Sequence, residues 1–217
     1  MSRGTRAARR ADRSGSGPTV SDAPVARNPG AVSWFGLLGE VLLVGILVTL
    51  VSLPVVTLPA ALAAGVRHLG RYVRAEGSSL EAFWRDVWKA LPGGIGVGAL
   101  ALVAGLLLAF DLLLVTSGAL PGGWLVGAVG VAVAAVLAVG LLLAAGAWRP
   151  RTGWLLAVRS VPRRITRDPA GALYLLATIG FAVAVTWQLV PLIVPALGCV
   201  CLAVFAVPER PARRRAR

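Results

Sequence analysis

"LPVVTLPAALAAGVRHLGRYVR", residues 53–74, decides the fold of this chain. It begins as apolar sequence broken by Pro54 and Pro59 and ends as a basic, helix-like stretch carrying Arg67, His68, Arg71 and Arg74. A chain that only leaves a membrane here and a chain that crosses back put every later charged segment on opposite sides.

The flanking sequence makes a membrane the right frame. Of 217 residues, 57% are hydrophobic and 14% charged, with a mean hydropathy of +0.80; a soluble domain carries about a quarter charged residues. The apolar residues form five long blocks, 34–53, 95–110, 124–148, 170–187 and 192–207. Most approach or reach the roughly 17–25 residues a helix needs to span a bilayer. They do not alternate as the strands of a membrane β-barrel do.

Charge sets the topology. The net charge is +13, and all 22 Lys and Arg fall within 1–30, 67–89, 149–167 and 210–217. Clusters beside apolar spans fix orientation and touch anionic lipid. With no folded basic domain and no aromatic-interleaved basic groove, no nucleic-acid partner is expected. If each block crosses once, the first two clusters lie on opposite sides, against the positive-inside rule. If 55–66 returns as a second limb, there are six crossings, all four clusters are cytoplasmic, and the remaining connections near 52–57, 116–123 and 188–191 hold no charge. That limb is short: 59–71 makes about 20 Å of helix, against about 30 Å of hydrocarbon.

The expected fold is therefore all-α, a polytopic transmembrane helical bundle of about six membrane segments, the second short or re-entrant, with interfacial amphipathic helices. Residues 1–31 read as a disordered basic cytoplasmic tail, 32–207 as the transmembrane domain and 208–217 as a second basic cytoplasmic tail, in a multi-pass plasma-membrane protein. Arg9-Arg10 is too far from the first apolar block for a twin-arginine export signal.

Two connectors read as amphipathic surface helices. In "SSLEAFWRDVWKAL" (78–91), Ser78 and Glu81 make a capping-box pattern. Leu80, Phe83, Trp84, Val87, Trp88 and Leu91 recur at helical spacing, with Arg85, Asp86 and Lys89 on the remaining face and Pro92-Gly93-Gly94 as the expected stop. In "GWLLAVRSVPRRITRDP" (153–169), Trp154, Leu155, Val158 and Val161 oppose Arg159 and Arg163. Aromatic and basic residues together suit lipid anchoring. They also suit a partner surface, with Phe83, Trp84 and Trp88 as candidate docking residues.

Two acids interrupt the spans, Glu40 in the first and Asp111 in the third. Acids at such positions are costly, which makes both candidates for ligand binding or transport. Glu40 lies about 9 Å in from Trp34 and Asp111 about one turn from the outer end. They fall in opposite halves of the bilayer and are not expected to act as a pair; each is also placed to reach an interface or a polar neighbour. Arg67, His68 and Arg71 are expected at the inner headgroups, with His68 solvated. The pairs Gly94/Gly98, Ala101/Gly105 and Gly123/Gly127 allow close helix contact.

No enzyme is expected, and no catalytic, cofactor or metal site. There is one His, and no HExxH, GxSxG or Walker loop. "GGIGVGAL" (93–100) opens a span and follows no strand, so it is no nucleotide loop. Cys199 and Cys201 point to nearly opposite sides of a helix and cannot pair. The internal repeat of many carriers is missing.

The stretch "LPVVTLPAALAAGVRHLGRYVRAEGSSLEAFWRDVWKAL", with Asp111 after an aliphatic run and "ITRDPAGALYLLA" (165–177), resembles the YesL-like family of bacterial integral membrane proteins, a family of unknown function. The resemblance covers roughly 34–207. It implies an accessory role in ABC-type carbohydrate uptake, with ABC permease subunits as partners and anionic lipid at the cytoplasmic face. No catalytic residue carries over. A stand-alone small-molecule carrier, resting on Glu40 and Asp111, is the alternative. A single lysine among many arginines fits a high-GC bacterial genome.

Overall fold

A computed structural model describes residues 33–117 and 122–209. The N-terminal tail 1–31 and most of the C-terminal tail 208–217 lie outside the described residues. The helices are α1 (Trp34–Val51), α2 (Leu58–Val73), α3 (Leu80–Thr116), α4 (Gly123–Ala147), α5 (Gly153–Arg159), α6 (Val161–Arg167), α7 (Pro169–Gln188) and α8 (Ile193–Ala206), with short 3-10 turns at Val55–Thr57, Val190–Leu192 and Val207–Glu209. No strand occurs among the described residues. Helices α1, α3, α4 and α7, and α8 with its flanking turns, are long and apolar enough to cross a membrane. This is an all-α helical bundle and a multi-pass membrane protein.

The opening stretch turns and comes back. Pro54 stays extended, Thr57 donates its hydroxyl to the carbonyls of Pro54 (2.7 Å) and Val51, and Pro59 sits in the first turn of α2, where a missing N–H costs nothing. Helix α2 then runs antiparallel along the whole of α1. Its Gly65 lies against Val44 and Val48, His68 meets Glu40, and the Tyr72 hydroxyl reaches Gly36 near the start of α1. Sixteen residues give roughly 24 Å, too short to face lipid along a full crossing. The helix faces protein instead, because α1, α3, α4 and α8 surround it and Pro59–Val66 are all buried. Small residues on every side of its first half, 59–66, make that possible, and a helical stretch apolar all round belongs in an interior.

A tight seam joins α1 to α8. A Cβ on Gly45 would collide with the Val194 carbonyl, and one on Gly198 with the Val41 carbonyl. Only glycine lets the two backbones touch there, which is how helices without a hydrophobic driving force gain contact. Gly98 of α3 meets the Val56 carbonyl in the same way. Of the other small-residue pairs, Gly127 lies near Val115, whereas nothing approaches Gly105.

One expectation about α3 is overturned. The amphipathic stretch does not end at Pro92-Gly93-Gly94 as a separate surface helix; it continues unbroken into the third span, giving 37 residues. Pro92 removes one ladder hydrogen bond, a cost of about 3 kcal/mol in a helix interior. Packing of Gly94 on Ala60 and of Gly93 on Trp154 offsets it, and the Trp154 indole donates to the Ala90 carbonyl at 2.7 Å. The N-cap is Ser79, which accepts from the Ala82 amide at 3.2 Å, not Ser78. The second connector is two seven-residue helices, α5 and α6, divided at Ser160. Trp154 points into the protein while Leu155 and Val158 face outward, so the expected single apolar face is split.

Exposed tryptophans mark two levels of the bundle. Trp34 and Trp88 lie toward the end that holds the arginines, Trp124 and Trp187 toward the other, each at least 70% exposed. Indoles at both ends of apolar helices form the belts found at membrane interfaces.

Candidate functional site

The C-terminal ends of α2, α4 and α8 and the N-terminal ends of α3 and α7 meet at one end of the bundle, together with α5 and α6. Contacts that hold that end together include Arg67 with Asp86, Arg74 with Glu209, and Gly171 against Val207. Apart from Asp111, the charged side chains of the described residues lie in the half toward this basic end.

Arg67 Nε donates to Asp86 Oδ2 at 3.0 Å and Arg71 Nη1 donates to the same oxygen at 2.6 Å. Asp86 is 5% exposed. This corrects its placing on a solvated face of the connector: because α3 packs on α2, the turn holding Asp86 faces the arginines of α2. Phe83 is likewise buried, edge-on to His68 with centroids 6.0 Å apart, and is removed from any docking surface. Trp84 is 40% exposed and Trp88 70%, so these two remain available.

His68 is fully buried, not solvated at the headgroups. Its Nε2 donates to Glu40 Oε1 at 2.6 Å, while Nδ1 is buried without a hydrogen-bond partner among the described residues. Helical position explains this: His68 is on the α1-facing side of α2, whereas Arg67 and Arg71 turn toward α3. One intramembrane acid is therefore engaged in a side-chain pair. Asp111 is the other, and it stands on the exposed outer face of α3, far from Glu40.

Above the Asp86 pair, between α2, α4, α6 and α8, lies a cavity of about 230 Å³. Arg67, Arg71, Arg74, Arg149 and Arg164 line it, with Glu76 and Glu209. Arg67 stacks over Trp148 at 5.8 Å and Arg74 over Phe205 at 5.6 Å, fixing their planes. Arg149 Nη1 donates to the carbonyls of Gly146 (3.0 Å) and Trp148 (2.8 Å), capping the end of α4. Burial, and then the neighbouring guanidiniums of Arg67, Arg164 and Arg74, lower the pKa of Arg149; at neutral pH it stays charged in a crowded cationic place. Sequence reading found the positive clusters but not their convergence, because Arg67, Arg149 and Arg164 are far apart in the chain and only the packing of α2, α4 and α6 joins them.

A second cavity of about 490 Å³ opens among α2, α4, α7 and α8. Its lining, including Leu141, Ile179, Val183 and Leu197, is almost wholly apolar. No group of three or more His, Cys, Asp or Glu among the described residues is arranged to hold a metal. Cys199 and Cys201 are free thiols, one exposed and one buried. Neither protein-family models, nor curated proteins, nor solved structures give a match to this chain.

Proposed function

We propose that this chain is a non-catalytic, multi-pass accessory protein of the plasma membrane, which associates with a transporter through its exposed surfaces and has its basic end in the cytoplasm. The disposition of the two intramembrane acids carries this reading. A carrier lines its passage with polar groups near the middle of the bilayer. Here the half-buried Glu40 is engaged by the buried His68, Asp111 points away from the bundle, and the large cavity among the spans is apolar. The resemblance to the YesL-like family names the setting as ABC-type carbohydrate uptake, with permease subunits as the partner.

Copurification in mild detergent tests the association: ABC permease subunits are expected to come down reproducibly with the full chain. Saturable uptake of a small solute into liposomes containing this chain alone would overturn the reading in favour of a carrier. Reporter fusions at Gly77 and Pro162 are expected to report the cytoplasm and one at Gly122 the outside. An outside signal at Gly77 sinks the six-segment orientation.

A further inference from the structure

The arginine cavity at the basic end has more positive charge and more donors than the protein itself uses. Five guanidiniums line it, and three carboxylates stand against them: Asp86 beneath, and Glu76 and Glu209 on the wall. Two positive charges are left over. Asp86 engages Arg67 and Arg71, Glu209 engages Arg74 at 3.2 Å, and Arg164 Nε reaches the Ser160 hydroxyl at 3.2 Å.

A simpler duty exists for such arginines. Three helices, α2, α4 and α8, end at this place, and cations are stabilising near helix C-termini. Arg149 does this for α4. That duty does not account for Arg71. Its Nη1 is spent on Asp86, yet Nε and Nη2 are buried with no hydrogen-bond partner among the described residues. Nε and one terminal nitrogen form the fork with which a guanidinium grips two oxygens of one group. Buried donors left unmade are costly, and Arg71 lines the cavity, so a rotation of its side chain that brings these donors to an anion there would relieve a cost that the protein alone carries.

We infer that the cavity between α2, α4, α6 and α8 is a binding site for a phosphoryl group, held by Arg71 and Arg149 with Arg67, Arg74 and Arg164 around it. The excess of two positive charges matches a phosphate dianion. The volume of about 230 Å³ admits a phosphate with a small substituent. The site lies at the basic end of the bundle, toward which the exposed Trp34 and Trp88 also lie, and indoles and arginines together suit a headgroup region, so the phosphoryl group comes either from an anionic lipid or from a soluble phosphate.

The test uses the full chain in detergent and follows thermal stability and tryptophan fluorescence, since Trp148 carries the stacked Arg67. One arm titrates inorganic phosphate against chloride at matched ionic strength. The other titrates short-chain phosphatidic acid against phosphatidylcholine of the same chain length. Saturable stabilisation by phosphatidic acid alone identifies a lipid site; a response to inorganic phosphate identifies a soluble one. In either case Arg149→Gln and Arg164→Gln are expected to weaken apparent affinity about tenfold each, in line with loss of a charge-assisted contact. These rim variants leave the Asp86 pair intact and are expected to fold even if Arg71→Gln does not. Arg159→Gln with Arg163→Gln, on exposed faces outside the cavity, is expected to leave affinity unchanged. Two results overturn the inference. One is no saturable response in either arm, which leaves the arginines to the helix ends and Asp86. The other is an equal loss from Arg159→Gln with Arg163→Gln, which assigns the effect to diffuse surface charge.

Discussion

The seam of α1, α2 and α8 and the outer wall of α3 and α4 have much the same composition and opposite structural lives. In the seam, Val44, Val48, Ala61, Ala63 and Cys201 are at most 0% exposed, and backbones meet at Gly45 and Gly198. On the wall, Leu100, Leu106, Phe110 and Val131 are each about 60% exposed or more, and nothing approaches Gly105 or Gly130. In water such a wall would be a large aggregation surface. In lipid it costs nothing, because the surrounding tails are as apolar as leucine. Hydrophobicity therefore holds the chain in the membrane, while small residues and the few polar pairs decide which helices touch.

The sharpest way to break this contrast is to unpair the seam. His68→Leu leaves the Glu40 carboxylate half-enclosed without its donor, and breaking a buried pair by one partner costs about 3–5 kcal/mol. A large fall in the detergent melting temperature is expected. Glu40→Leu with His68→Leu is expected to regain most of it, since a well-packed apolar replacement of a buried pair is often neutral. A double variant as unstable as the single one would mean that the pair is not the source of the loss.

Overpacking gives the next largest effect. Gly198→Leu forces α8 away from the Val41 carbonyl, and an overpacked core typically loses about 1–3 kcal/mol. Gly105→Leu, on the open wall, is expected to stay within about 0.5 kcal/mol. Equal losses in the two variants, measured by thermal unfolding, would erase the distinction between seam and wall.

Trp84→Leu with Trp88→Leu acts on exposed rings and is expected to change stability by less than about 1 kcal/mol. If these rings dock a partner, a few aromatic anchors dominate affinity, and copurified permease should fall several-fold at unchanged membrane levels. Undiminished copurification assigns both indoles to the membrane interface, and the partner surface then lies along the spans. Asp111→Asn is expected to do least, with expression, melting temperature and uptake phenotype unaltered. Loss of an uptake phenotype at normal membrane levels would revive the carrier.

By itself the sequence determined the class and the turn by which the chain doubles back after its first helix. Apolar blocks of membrane-spanning length, an absence of alternation and basic residues confined to clusters admit few arrangements, and Pro54 and Pro59 mark a turn whatever surrounds it. It also determined that residues 80–91 are helical, from periodicity, but placed the cap one residue early, at Ser78 instead of Ser79. It did not determine where that helix stops: Pro92 and two glycines read as a terminator, yet contacts with Ala60 and Trp154 carry the helix through. Nor did it determine partners. His68, Phe83 and Asp86 have local patterns that suit an exposed interface, and each is buried because α2 is enclosed on all sides. Which charges meet is a property of helix packing across long sequence separations, from Glu40 to His68 and from Arg67 to Arg164, and a one-dimensional pattern holds no record of it.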